Sequence, residues 1–137
     1  MRAREEVINE LVHQRLTKAQ DDFDAAKALL AQGRLLWIVA FHAQQAAEKH
    51  IKAFLTEYQI EFPKTHRMGE LLSLVARIDP KLADRLSPAA TLDPYGADIR
   101  YPGNVPDLTL ETATEALNRA GEVRAAIRLA LGLEHRD

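Results

Sequence analysis

Five side chains in the middle of the chain stand where they could act together: His42, Gln45, Glu48, Lys49 and Lys52. Their offsets of three, four and seven put them on one face of a helix. Imidazole, amide and ammonium groups gathered in this way could hold an anion or pair with a partner. The face lies beside Trp37 and Phe41. The plainer alternative is a solvated helix face on which Glu48 and Lys52 form an ordinary ion pair one turn apart.

A second group is Arg100-Tyr101-Pro102-Gly103. Arginine offers a rigid fork of donors suited to phosphate. Tyrosine can stack on a base or donate a hydrogen bond. Loops held by a rigid scaffold often carry function. The structural alternative has Arg100 capping a helix C-terminus or pairing with a carboxylate while Tyr101 packs. A third group is Thr65-His66. Thr65 suits a helix N-cap, which would place His66 in the first turn.

Other chemistries find no support. His13 and His50 fall on expected helix surfaces without obvious partners, and no two histidines stand three to five positions apart on one helix. Metal-ligand spacing is therefore absent. With no cysteine there is neither a disulfide nor cysteine-ligated zinc. No nucleophile elbow, P-loop or dinucleotide fingerprint occurs, and no cofactor is expected.

The elements that position these residues are helices. Ile8, Val12, Leu16, Ala19, Phe23, Ala26 and Leu30 form one stripe, which predicts a helix from about Glu5 to Gln32 closed by Gly33. Thr17 with Gln20 could be a capping box that breaks it. A second helix is expected from about Leu35 to Gln59. Its inward stripe is Leu36, Val39, Ala40, Ala43, Ala47, Ile51, Phe54 and Tyr58, widened by Trp37, Phe41 and Leu55. A helix this apolar is central in its bundle or shared with a partner.

Pro63 breaks the chain. A third helix follows from Thr65 or His66, carrying Met68, Leu71, Leu72 and Val75 inward. Asp79-Pro80 opens a short helix to Leu86, and Ser87-Pro88 reads as a fresh cap for a piece ending near Gly96. Pro102, Gly103 and Pro106 forbid a helix over Asp98 to Leu108. Thr109 caps a last helix to about Leu131, with Ala113, Leu117, Ala120, Val123, Ile127 and Leu131 inward. The expected fold is all-α: an antiparallel up-and-down four-helix-type bundle with additional short helices.

At 137 residues and 47% apolar content the chain suits a single domain with its own core. A net charge of −2 lacks the basic surplus of proteins that wrap duplex nucleic acid. A local basic patch for a nucleotide or short RNA remains compatible with it. The longest apolar run, Leu35 to Phe41, is far shorter than the roughly 20 residues that span a bilayer, so no membrane association is expected. The charged start MRAREEVINE is unlike a signal peptide, and a cytoplasmic location is expected.

The run Phe41-His42-Ala43-Gln44-Gln45-Ala46-Ala47-Glu48-Lys49, continuing to Lys52-Ala53, resembles the central helix of HEPN domains. Pro63, Thr65-His66 and Leu71-Leu72 resemble the next block. Tyr95, Arg100-Tyr101-Pro102 and the Ala-rich last helix resemble the closing one, so the likeness covers about residues 15 to 131. It implies a helical bundle, commonly a homodimer, from a prokaryote and often encoded beside a minimal nucleotidyltransferase, sometimes as a toxin–antitoxin pair. It also implies a nucleotide- or RNA-related role.

Some members of the family are metal-independent endoribonucleases. They use an Arg, four to six residues, then His, and the 2′-OH attacks the adjacent phosphate. Here Tyr101 to Asp107 contain no His after Arg100. The formal match is Arg128 with His135, and about one such match is expected by accident in a chain with this much Arg and His. The resulting expectation is a non-catalytic dimeric binding module. Its candidate ligand residues are Arg100, Tyr101, His42, Gln45, Lys49, Lys52 and His66. A ribonuclease with an altered acid/base group, supplied by His42 or His66, is the alternative.

Overall fold

The computed structural model describes residues 3–96 and 108–133. Among these residues every regular element is helical. Helix α1 spans Arg4–Gln32, α2 Leu36–Glu57, α3 Met68–Ala76, α4 Pro80–Leu86 and α5 Leu110–Ala130; a 3₁₀ segment, Ser87–Tyr95, follows α4 directly.

The α1–α2 hairpin needs backbone that turns sharply, and Gly33 supplies it at φ 66°. Its N–H and that of Arg34 close onto the carbonyls of Leu30 and Leu29, satisfying the end of α1. Leu35 is also left-handed, at φ 55°, so α2 begins at Leu36. The end of α2 is at Glu57, and Tyr58 is exposed, so it does not continue the inward stripe. Its ring tilts against Phe54 at the helix end instead.

Helix α1 runs unbroken through Thr17 and Gln20. The Thr17 hydroxyl donates back to the His13 carbonyl, and the Gln20 amide donates forward to Asp24. Both satisfy themselves within the helix, so no capping box forms.

Helix α2 is the centre of the bundle. It packs against α1, α3, the 3₁₀ segment and α5. Ala40, Ala43, Ala46 and Ala47 are fully buried, as are Ile51 and Leu55, and together they meet Met68, Leu71, Leu86, Leu92, Ala120 and Ile127 in one core. The alanines let neighbouring backbones approach closely. Gln20 meets Arg124 while Phe23 lies against Gly121, so α1 and α5 run antiparallel. The chain from Ile60 to Tyr95 forms the return limb, making an up-and-down all-α bundle with short extra helices.

The start of the third helix differs from the expectation. It begins at Met68, so His66 precedes the helix. The Thr65 hydroxyl accepts from the Arg67 N–H in a local turn and donates to Glu70. The Met68 N–H is satisfied by the Asp93 carboxylate, which comes from the 3₁₀ segment. Ser87 likewise caps nothing, because α4 runs straight into the 3₁₀ segment. Asp79 and Thr109 do cap, accepting from the N–H groups of Leu82 and Thr112.

Candidate functional site

The polar face of α2 is built as two cells, each around one carboxylate. In the first, Asp22 of α1 faces α2. Its Oδ1 is 2.8 Å from His42 Nδ1, and its Oδ2 accepts from Lys49 Nζ at 2.6 Å. The Phe41 ring meets the His42 ring edge-on at 5.5 Å.

In the second cell, Glu48 is the hub. It is 3% exposed, which water cannot solvate, so its oxygens are satisfied by protein. Lys52 Nζ donates to Oε2 at 2.8 Å, Gln44 Nε2 donates to Oε1 at 3.0 Å, and His66 Nδ1 lies 3.0 Å from the same oxygen. Gln45 joins through Gln44, donating to its Oε1 at 2.7 Å. Burial pushes the Glu48 carboxyl up. The hydrogen bonds from Lys52, His66 and Gln44, with the Lys52 charge, outweigh burial and leave it below its usual 4.5.

Lys52 has a second neighbour. Its ammonium sits 5.4 Å from the Phe62 ring centroid, and the Arg15 guanidinium sits 5.1 Å from the same ring. Phe62 thus holds two cations at the edge of the Glu48 cell.

The structure therefore brings His66 together with Gln45, Glu48 and Lys52, and it joins His42 and Lys49 through Asp22. Glu48 and Lys52 do form the i,i+4 pair of the plainer reading, but the face is not simply solvated. Arg100, Tyr101 and His135 lie outside the described residues. Gly96 lies inside them and is buried against Gln44: a Cβ placed on it would stand 3.6 Å from Gln44 Cδ.

Spacing along α2 passes over two members of this site. Asp22 acts across 27 positions from Lys49, which no local periodicity reveals. The available signal was that Arg15 and Asp22 stand seven apart beside the apolar stripe of α1, a polar line facing a neighbour. Gln44 is buried within the apolar arc of α2, and its offset of four from Glu48 was the clue. His50 is also corrected. It is 1% exposed, and its Nδ1 lies 2.8 Å from the Ala46 carbonyl. Burial, with Arg124 and Arg128 nearby, brings its pKa down to about 4.

Among the described residues no three His, Asp or Glu side chains converge to hold a metal ion, and no helix is long and apolar enough to cross a membrane.

The family model for the HEPN domain matches residues 12–130, which takes in both cells, α1 from Val12 onward and all of α2 to α5. The chain belongs to the HEPN domain family. No curated protein and no solved structure matched the chain. In this HEPN domain α2 supplies most of the polar cluster, α1 supplies Asp22, and the return limb supplies His66.

Proposed function

We propose that this HEPN domain is a non-catalytic, dimeric binding module for a nucleotide or RNA, working in the cytoplasm with a minimal nucleotidyltransferase partner in a toxin–antitoxin-like pair. The observation that carries the binding role is the ratio of groups in the two cells. Four basic side chains, His42, Lys49, Lys52 and His66, share two carboxylates. His42, Lys49 and His66 keep 28%, 32% and 51% of their side chains exposed. They are held in place by Asp22 and Glu48 and still face solvent, an arrangement suited to a phosphate.

Arg100 belongs to the same proposal. It is the arginine of the Arg100-Tyr101-Pro102 block that resembles the closing segment of the family. Exposed Val7 and Leu11 on α1, with Leu129 and Leu133 at the far end of the chain, leave apolar surface for a second copy.

The test is a titration of ATP and short RNAs into the wild-type protein and into Lys49→Ala, His66→Ala and Arg100→Ala. The proposal expects each variant to bind about tenfold more weakly, the order of one charge-assisted hydrogen bond. Equal binding by all four proteins would remove the stripe and Arg100 from the site.

A second reading, an endoribonuclease, is favoured by one feature. His66 and His42 each turn Nδ1 to a carboxylate, which fixes the ring and leaves Nε2 to take or give a proton. Metal-free cleavage of RNA to a 2′,3′-cyclic phosphate, abolished in His66→Ala, would establish that reading over the non-catalytic one.

A further inference from the structure

A groove of about 730 Å³ opens between α1 and α5. It is a different surface from the α2 stripe. At 3.6 residues per turn, Asp22 stands roughly 180° round α1 from His13, which lines the groove. Among the described residues the ionisable groups lining it are His13, Lys27, Arg124, Arg128 and Asp24.

Asp24 bridges neither Arg124 nor Lys27 directly. It accepts from Gln20 Nε2 at 2.9 Å, which fixes the Gln20 amide with its oxygen turned to α5. That oxygen accepts from Arg124 Nε at 2.7 Å. Phe23 braces the same guanidinium, whose centre lies 5.7 Å from the ring centroid, and Lys27 sits over that ring at 5.6 Å. Arg124 is thus anchored through Nε and by stacking. Its two terminal nitrogens are left for something else, and no carboxylate bridges Arg124 or Lys27 among the described residues. The positive potential also reaches inward, since Arg124 and Arg128 both help keep the buried His50 neutral.

We propose that the α1–α5 groove binds a phosphate-bearing polyanion, with the Arg124 fork as its fixed contact and Lys27 and Arg128 flanking it. A guanidinium held edge-out matches two phosphate oxygens. Arg124 and Lys27, neither bridged by a carboxylate among the described residues, together suit a ligand carrying more than one negative charge, and the volume exceeds that of one phosphate. The phosphate could belong to a free polyphosphate such as a nucleoside triphosphate or to the backbone of single-stranded RNA.

Inorganic pyrophosphate, ATP and a short single-stranded RNA are titrated by calorimetry into wild type, Arg124→Ala, Arg124→Lys, Lys27→Ala and the control Lys81→Ala. Pyrophosphate affinity should fall about tenfold in Arg124→Ala, and by less in Arg124→Lys and Lys27→Ala. It should be unchanged in Lys81→Ala, which removes one exposed charge on α4 outside both the groove and the α2 stripe. ATP binding without RNA binding assigns the groove to free polyphosphate, and the reverse assigns it to the RNA backbone. Lys27 is exposed and replaceable, so its variant decides the matter even if Arg124→Ala fails to fold. Absence of pyrophosphate binding at millimolar concentration would overturn the proposal. So would affinity that ignores Arg124 and Lys27, or that falls equally in Lys81→Ala.

Discussion

Glu48 is the residue whose loss the bundle should feel most, and the cost follows from its surroundings. Replacing it with Ala leaves Lys52 Nζ without its acceptor in a largely dry place, since the Lys52 side chain is 14% exposed, and leaves Gln44 Nε2 only the His66 carbonyl at 3.4 Å. Removing one member of a buried ion pair costs about 3–5 kcal/mol. Lys52 sits at the rim and can swing outward along Phe62, which points to the lower end, about 3 kcal/mol. For a chain of this length that is a fall in Tm of roughly 10 °C. Glu48→Gln keeps the volume and one acceptor but turns an amide N–H₂ toward donors, so about 2 kcal/mol is expected. Urea unfolding followed by far-ultraviolet dichroism measures both. The pH dependence gives an internal control. The folded pKa of Glu48 lies below 4.5, so its contribution is complete above pH 4.5 and is lost as pH falls through the folded value. The gap between wild type and Glu48→Gln should therefore narrow in acid. Variants within about 0.5 kcal/mol of wild type, or a gap that does not change with pH, would refute the picture of a buried hub.

His50 should act as an acid-sensitive element. Its pKa falls from 6.5 to about 4 on folding, so the unfolded chain takes up the proton first and stability drops between pH 6.5 and 4, by about 3 kcal/mol in all. A resonance assigned to the His50 imidazole with a midpoint near pH 6.5 in the folded protein would contradict this. Asp93→Ala should cost about 1 kcal/mol by removing the cap on α3, while Thr65→Ala should cost less, which thermal unfolding of the pair can rank. Gly33→Ala should cost about 1 kcal/mol, because the hairpin holds that position at φ 66°. Asp22→Asn should change stability by less than about 1 kcal/mol, since its partners are part-exposed; its effect is expected in ligand titrations.

Whatever rests on local spacing was legible from the residues. The stripe of α5 from Ala113 to Ile127 lies inward apart from Leu117, which is half-buried, and Thr109 caps the helix. The apolar breadth of α2 pointed to a central helix, and Ala40, Ala43 and Ala47 are fully buried there. The misplaced start of α3 has a different cause. A Thr before a helical pattern is a sound local signal. The N–H it would have satisfied is taken by Asp93, 25 positions later, once the 3₁₀ segment folds back. His50 was misplaced for a related reason, since its side chain meets its own Ala46 carbonyl and needs no distant partner to be buried.

The same distinction governs the candidate site. Glu48, Lys52 and Gln44 stand one turn apart, so their contacts are local and their side of α2 could be read from spacing. Asp22 and His66 arrive from elsewhere and convert that face from a solvated ladder into two closed carboxylate cells. Those two residues decide which reading of the HEPN domain holds. His66 is 51% exposed on the side chain while its carboxylate partner is 5% exposed, so the imidazole can change partner without unfolding the core, whereas Glu48 cannot. A residue needed for ligand contact but not for the bundle should separate function from stability. His66→Ala should therefore lose binding, or cleavage if the domain has it, at a stability cost well below that of Glu48→Ala. Equal destabilisation by the two would make His66 a brace for Glu48 and leave Lys49 and Arg100 to carry the site.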